Sequence, residues 1–320
     1  MSARPRRARL RALAKINLSL KVVGKRPDGY HELRTVFQTI SLADRLEVEF
    51  TPAPSVDIRL ASNVEIPDNL VVRAARLLME RTGLRGEVSL ILDKRIPAGA
   101  GLGGGSSDAA AVLLALPVLA GVHLELSELA ALAAELGSDV PFFLYGGTAL
   151  GLGRGTELYP LPEPPAFRGI VVAPQIRIST AEAYRALGHK LTSALQFPMM
   201  GRFTNLCWSL VRGMSRQQWS AFGENDFESV AFRRYPSLAA IRRKLRSAGA
   251  EPVLLSGSGS AIYGIFPRGE DLRPLCRSFT DGMAQPFEFV SRARYRRLWW
   301  RSLGEHLQGE TWPPRSRYAR

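Results

Sequence analysis

Residues 97–108, PAGAGLGGGSSD, put five glycines into twelve positions between a strand-like segment and a helix-like one. Upstream, Val88, Leu90 and Leu92 alternate with smaller or polar neighbours; downstream, Ala109 to Leu116 is a run of strong helix formers. Ser106 or Ser107 is the expected cap of that helix. Glycine lets backbone N–H groups approach an anion with no Cβ in the way, and the free N–H groups and positive dipole end of a helix favour negative charge. A di- or triphosphate is the natural ligand. A P-loop needs Lys followed by Ser or Thr after its last glycine, and Ser106, Ser107 and Asp108 stand there instead. Gly99, Gly101 and Gly104 spell GxGxxG, but the dinucleotide fingerprint runs from strand directly into glycine, whereas Asp93, Lys94, Arg95 and Pro97 intervene here. A flexible linker would not lie between two apolar elements with proline at its entrance.

The chain around this loop is 320 residues long and 46% hydrophobic, enough for two domains with sizeable cores. Its two cysteines, Cys207 and Cys276, and four histidines (His31, His123, His189, His306) fall into no CxxC, HxxxH or HExxH spacing, so neither a disulfide framework nor a structural zinc site is indicated. No apolar run reaches membrane-span length, and Lys15 and Asn17 interrupt the run behind the Arg-rich start, so a cytosolic protein is expected. The net charge of +14 sits at the ends: five Arg without an acid in residues 1–11, and eight Arg against Glu305 and Glu310 in residues 291–320. The nearly balanced body argues against a nucleic-acid groove through the main fold, and the ends read as solvated, Arg-biased tails.

Strand character is read at Ala14 to Val23, Thr35 to Ile40 and Arg45 to Phe50, and an amphipathic helix at Asn69 to Thr82. Leu126 to Leu136 reads as a short helix opened by Ser127 and ended by Gly137. PLPEPP, residues 160–165, is the expected domain boundary, because such proline density continues neither a helix nor a central strand. Beyond it come a strand at Ile170 to Ala173, helices near Thr180 to Leu187, Thr204 to Arg212 and Ser237 to Ala248, and a second glycine cluster, LLSGSGS, at residues 254–260. After about residue 290 no clear periodicity is read.

Three further groups carry chemical potential. Lys15 and Asn17, two apart on a strand, point to one face. Asp28-Gly29-Tyr30-His31 is a turn presenting an aromatic and a histidine side by side, suited to stacking on a base and bonding its edge. Asp139 follows a helix end and precedes Pro141, which fixes its turn. Each has an ordinary structural explanation alone; their conjunction does not.

Four segments, AKINLSLKVVGKRPDGYHELRTVFQTI, PAGAGLGGGSSDAA, GSDVPFFLYGGTALGLGRG and LLSGSGSAIYGIF, resemble the successive motifs of the GHMP kinases, over roughly residues 12 to 290. The DGYHEL form of the first is typical of the branch whose acceptor alcohol is linked to cytidine diphosphate. The resemblance implies an α+β, two-domain fold: an N-terminal domain similar to ribosomal protein S5 domain 2 (residues 1–165) and a smaller C-terminal α+β domain (166–290), with a basic tail at 291–320. It implies ATP and Mg²⁺ as cofactors, Asp139 as catalytic base and Lys15 as its partner at the reacting hydroxyl. The glycine loop, Pro97, Gly99, Gly101, Gly103, Gly104, Gly105, Ser106 and Ser107, is the implied phosphate cradle, with Ser107 as Mg²⁺ contact and Asn69 and Lys94 near adenine and ribose. Asn17 is implied at the reacting end of the substrate, and Tyr30, His31 and Tyr184 at the cytosine, Tyr30 and Tyr184 forming a sandwich. Asn225-Asp226-Phe227-Glu228 matches a further signature, read as structural.

Three alternatives stay open on the sequence. A GHMP kinase acting on mevalonate, homoserine or a sugar has no base to stack against residues 30 and 31. A basic RNA-binding protein on a kinase-like fold would bind through its ends, with salt-sensitive affinity. A dehydrogenase would lack a convincing acidic residue for the ribose.

Overall fold

The computed structural model describes residues 4–191, 205–210, 212–213 and 215–319. The first sheet is organised around one long strand. The expected strands at Thr35 and Arg45 are a single element, β2 (His31–Thr51), paired along one edge with β1 (Arg6–Lys25). Its other edge is shared: the first half pairs with β5 (Thr148–Gly153), the second with β4 (Gly86–Asp93). The sheet ends in β3 (Val56–Ser62), parallel to β4, on one side and β6 (Glu157–Pro160) on the other. The crossover between the parallel pair β3 and β4 is α1 (Leu70–Thr82), which buries Val71, Ala74, Ala75, Leu78 and Met79, an i, i+3, i+4, i+7, i+8 stripe.

Two further helices share that layer. The first, α2 (Gly104–Ala120), is buried from Ser107 through Leu119. An all-apolar helix of this kind must be covered on every side. The second, α3 (Leu126–Leu136), opens with a capping box between Glu125 and Glu128, its cap two residues before Ser127.

After the proline-rich segment, the second sheet runs β10 (Met283–Glu288), β7 (Arg168–Ala173), β9 (Ile262–Phe266), β8 (Val253–Leu255), all antiparallel. Helix α5 (Thr180–Leu191) and the helix Pro236–Ser247 accompany it. The helix expected over Thr204–Arg212 lies partly outside the described residues, of which 205–210 are helical. The two sheets are locked through β1: Trp219 Nε1 donates to the Leu18 carbonyl at 3.1 Å, and Tyr263 O–H to the Asn17 carbonyl at 2.8 Å. None of the described helices is long and apolar enough to cross a membrane.

The Arg-rich ends are not solvated tails. From Arg6 the chain is already in β1, where Arg7 and Arg9 pair with Glu47 at 2.9 and 2.7 Å. Residues 292–303 form a helix (Arg292–Leu303) whose Tyr295, Trp299 and Leu303 enter the same core as α2. The spacing of four between those three residues is a helical stripe hidden among arginines.

Candidate active site

The floor of the cleft is built on β1, whose pairing with β2 shifts register between Leu13 and Lys15 and again between Asn17 and Ser19. Bulges of this kind re-aim side chains. Lys15 Nζ donates to Asn17 Oδ1 at 2.9 Å and stands 3.3 Å from Asp139 Oδ2. Asn17 is held from three more directions: its Nδ2 donates to Thr35 Oγ1 (2.7 Å), its Oδ1 accepts the Gly257 N–H (2.9 Å), and its carbonyl accepts Tyr263. The lysine side chain is 3% exposed and the aspartate 35%, so the pair is solid behind and open toward the cleft.

Over this pair lies the glycine loop. Gly99, Gly101 and Gly103 have φ of +70°, +80° and +70°. A Cβ on Gly101 would run into the Ser256 carbonyl, and one on Gly103 would come within 2.8 Å of the Phe143 ring. Helix α2 begins at Gly104 with Gly103 as its cap and no side-chain cap. Ser106 and Ser107 therefore lie inside the first turn instead of capping it, and the first N–H groups are left for an anion. Of the two serines, Ser106 lines the cleft. Ser107, the expected Mg²⁺ contact, is buried at 2% exposure. Among the described residues no group of three His, Cys, Asp or Glu side chains is placed to hold a metal ion.

Asn69 caps α1, accepting the Val71 N–H at 3.1 Å, while its Nδ2 is buried with no protein partner. Lys94 is not free for a ribose. Its Nζ bridges Asp44 and Asp108, the latter at 2.8 Å, under Gly104. Asp44 in turn accepts the backbone N–H of Arg95 and Ile96 at 2.5 and 2.8 Å, which fixes the entrance of the loop. Burial pushes the Asp108 carboxyl up to about 7, the Lys94 charge only partly offsetting it. The folded state thus holds this proton more tightly than the unfolded chain. Its stabilisation is complete below the unfolded value near 3.8 and lost as the pH rises through about 7. Urea midpoints between about pH 5 and about pH 8 are expected to fall less in Asp108→Asn than in the wild type. Equal slopes would show Asp108 ionised throughout.

The outer cleft, of about 1060 Å³, is lined by Tyr30, His31, Asp139, Arg154 and Tyr184 among others. It narrows into a chamber of about 170 Å³ reached by Lys15, Asn17, Gly99, Gly101 and Gly257. Asp139 belongs to both and sits at their join. Among the aromatic groups expected at the cytosine, Tyr184 stacks on His31 (centroids 4.4 Å apart, planes 16° apart), and the Arg154 guanidinium lies 3.5 Å over Tyr30. Burial, with Lys25 nearby, holds His31 below the ordinary histidine range, hence neutral at neutral pH. Arg154, Asp44 and the Ser256-Gly257-Ser258 backbone were not singled out from the sequence as site residues. For the last, the repeated Ser-Gly pattern of residues 256–260 was the available signal.

Sequence comparison agrees with this architecture. The family model described as GHMP kinases N terminal domain matches residues 69–147, and that described as GHMP kinases C terminal matches residues 208–284. A 4-diphosphocytidyl-2-C-methyl-D-erythritol kinase of Solibacter usitatus (strain Ellin6076) is 53% identical over 317 residues, 98% of each chain. One of Geobacillus kaustophilus (strain HTA426) is 42% identical, covering 81% of this chain and 88% of its own. A crystal structure of 4-(cytidine 5'-diphospho)-2C-methyl-D-erythritol kinase superposes with a TM-score of 0.74 at 40% identity, over 88% of this chain and 99% of that one. Homoserine kinase from Cytophaga hutchinsonii, at 18% identity and TM-score 0.67, shares the fold.

Proposed function

The chain belongs to the GHMP kinases, in their 4-diphosphocytidyl-2-C-methyl-D-erythritol kinase branch, and from this we propose that Asp139 is the base of its phosphoryl transfer and Lys15 the cation beside it. The protein uses ATP to phosphorylate the 2-hydroxyl of 4-diphosphocytidyl-2-C-methyl-D-erythritol, a step of non-mevalonate isoprenoid precursor biosynthesis. The observation that carries the assignment is the Lys15–Asp139 pair, 3.3 Å apart where the two chambers join. The substrate hydroxyl oxygen attacks the γ-phosphorus, the bond to the bridging oxygen of ADP breaks, and the hydroxyl proton passes to Asp139. Lys15, locked by Asn17, stands 3.3 Å from that carboxylate and faces the charge on the transferring group.

The glycine loop and the uncapped start of α2 cradle the nucleotide phosphates, and the unpartnered Asn69 Nδ2 is a donor for the adenine. Mg²⁺ belongs to the reading as an ion carried largely on phosphate oxygens and water, a common habit of this cation, with the Ser107 hydroxyl as its protein contact. Tyr30, His31 and Tyr184 take the cytosine, with His31 in its neutral form bonding the base edge. The cytosolic placement rests on composition.

Coupled ADP release with Mg-ATP tests this reading, comparing the CDP-linked methylerythritol with mevalonate, homoserine and galactose. Turnover is expected with the first alone. Tyr30→Ala should raise the KM for that acceptor about tenfold, the worth of one lost base stack, and leave the KM for ATP unchanged. Equal turnover with an acceptor lacking a base would remove Tyr30 and His31 from the site.

A further inference from the structure

We propose that Tyr295 and Trp312, on the segment after residue 290, are positioning residues that set the catalytic turn carrying Asp139. The turn is one continuous coil. Val140 N–H bonds the Gly137 carbonyl, Phe143 N–H the Val140 carbonyl, Leu144 N–H the Pro141 carbonyl, and Gly146 N–H the Phe142 carbonyl, so Asp139 moves with the short helix α4 (Phe142–Tyr145). A one-turn helix has little rigidity of its own and leaves its last carbonyls without partners inside it.

Those carbonyls are taken by the C-terminal segment. Tyr295 O–H donates to the Phe143 carbonyl at 2.5 Å, and Trp312 Nε1 to the Leu144 carbonyl at 2.9 Å. The two rings pack edge-on, with centroids 6.1 Å apart. Tyr295 is 2% exposed and its ring lies against Gly146, where any Cβ would collide with it. The neighbouring turn is held too: Arg292 donates its backbone N–H to Glu163 Oε1 at 3.0 Å and its guanidinium to the Thr148 carbonyl at 2.5 Å.

On its opposite side α4 touches the reaction site. Phe143 and the Lys15 side chain are the groups that a Cβ on Gly103 would meet, at 2.8 and 3.0 Å. Phe142 packs on Phe37, whose ring lies 5.4 Å from Lys15 Nζ. The helix is thus a wall shared by the phosphate loop, the lysine and the C-terminal segment. A displacement of the wall changes the gap between Asp139 and the hydroxyl it must reach, and misplacement by about 1 Å can cost about 100-fold in rate.

The inference rests on the reading of Asp139 as the base. The experiment is steady-state kinetics of Tyr295→Phe, which deletes only the hydroxyl donor, and Trp312→Phe, which deletes the indole donor with part of the ring, beside Asp139→Asn, at a temperature well below every melting transition. Both donor variants are expected to lower kcat about five- to tenfold with KM for ATP and acceptor within about twofold, a split that lost stability alone does not produce. Wild-type kcat in both, with only a lowered melting temperature, would overturn the proposal while Asp139→Asn stays inactive. Should Asp139→Asn itself retain wild-type turnover, the base assignment falls instead. Should one donor variant fail to fold, the other decides.

Discussion

Asp139→Asn is expected to lower kcat at least ~100-fold, the usual contribution of a positioned base, with ATP affinity within about twofold of wild type. The substitution is close to isosteric, so the turn, the buried Val140 and Phe142, and the α4 hydrogen bonds all persist. What disappears is the proton acceptor and the negative partner of Lys15. The lysine keeps its bond to Asn17 Oδ1, so its position is retained while its charge loses the carboxylate 3.3 Å away. On the proposed reading ATP is held by the glycine loop and α2 rather than by this carboxylate, which is why binding and turnover should separate. Calorimetric titration with a non-hydrolysable ATP analogue, beside steady-state turnover, reads both quantities. A parallel fall in affinity and kcat would mean that Asp139 organises the nucleotide site and does not act on the acceptor.

Gly101→Ala is expected to abolish detectable ATP binding, a loss of at least ~100-fold, and to destabilise the fold by about 2–4 kcal/mol. Two effects add. The residue sits at φ +80°, a left-handed conformation costing an L-residue about 1–2 kcal/mol. Its new methyl group would also run into the Ser256 carbonyl. Here the two glycine segments interlock backbone against backbone: Ser256 Oγ donates to the Gly101 carbonyl at 2.9 Å, and Ala261 N–H to the Ala100 carbonyl at 3.0 Å. Forcing them apart also breaks the Gly257 N–H bond to Asn17 and loosens Lys15. Gly99→Ala is the internal control, since Gly99 shares the positive φ but has open space where a Cβ would stand. Equal losses in the two variants would assign the whole effect to backbone strain and none to the interlock.

Much of this site was legible along the chain because its parts are local. The glycine run, the Lys15 and Asn17 alternation and the Pro141-fixed turn each announce themselves within about a dozen residues, and the fold joins all three at one cleft. What could not be read is what depends on partners far apart in sequence. Lys94 beside a glycine loop reads as a nucleotide contact until Asp44, fifty residues earlier on β2, is seen to claim it together with Asp108. Ser107 and Ser106 are indistinguishable as letters; only the start of α2 at Gly104 decides which one faces the cleft. Arg154 lies inside the third of the four motifs, but only the fold shows it lying over Tyr30. The C-terminal segment was a misreading of a different sort: charge drew attention to eight arginines, although Tyr295, Trp299 and Leu303 at intervals of four already described a buried helix face.

That last feature bears on how the polypeptide is made. The core assembled by residues 8–149 receives Tyr295, Trp299 and Leu303, and Ser316 Oγ donates to the Val118 carbonyl of α2 at 2.6 Å. His306 Nε2 stands 3.0 Å from the Arg7 carbonyl, and the Arg6 guanidinium lies 3.8 Å over the Tyr318 ring. During synthesis, at roughly 5–20 residues per second, about 150 residues separate the last strand of the first sheet from the side chains that seal it, an interval on the order of ten seconds. The half that leaves the ribosome first is therefore the half completed last, and until then α2 keeps an apolar flank open that a chaperone, or a neighbouring nascent chain, is free to find.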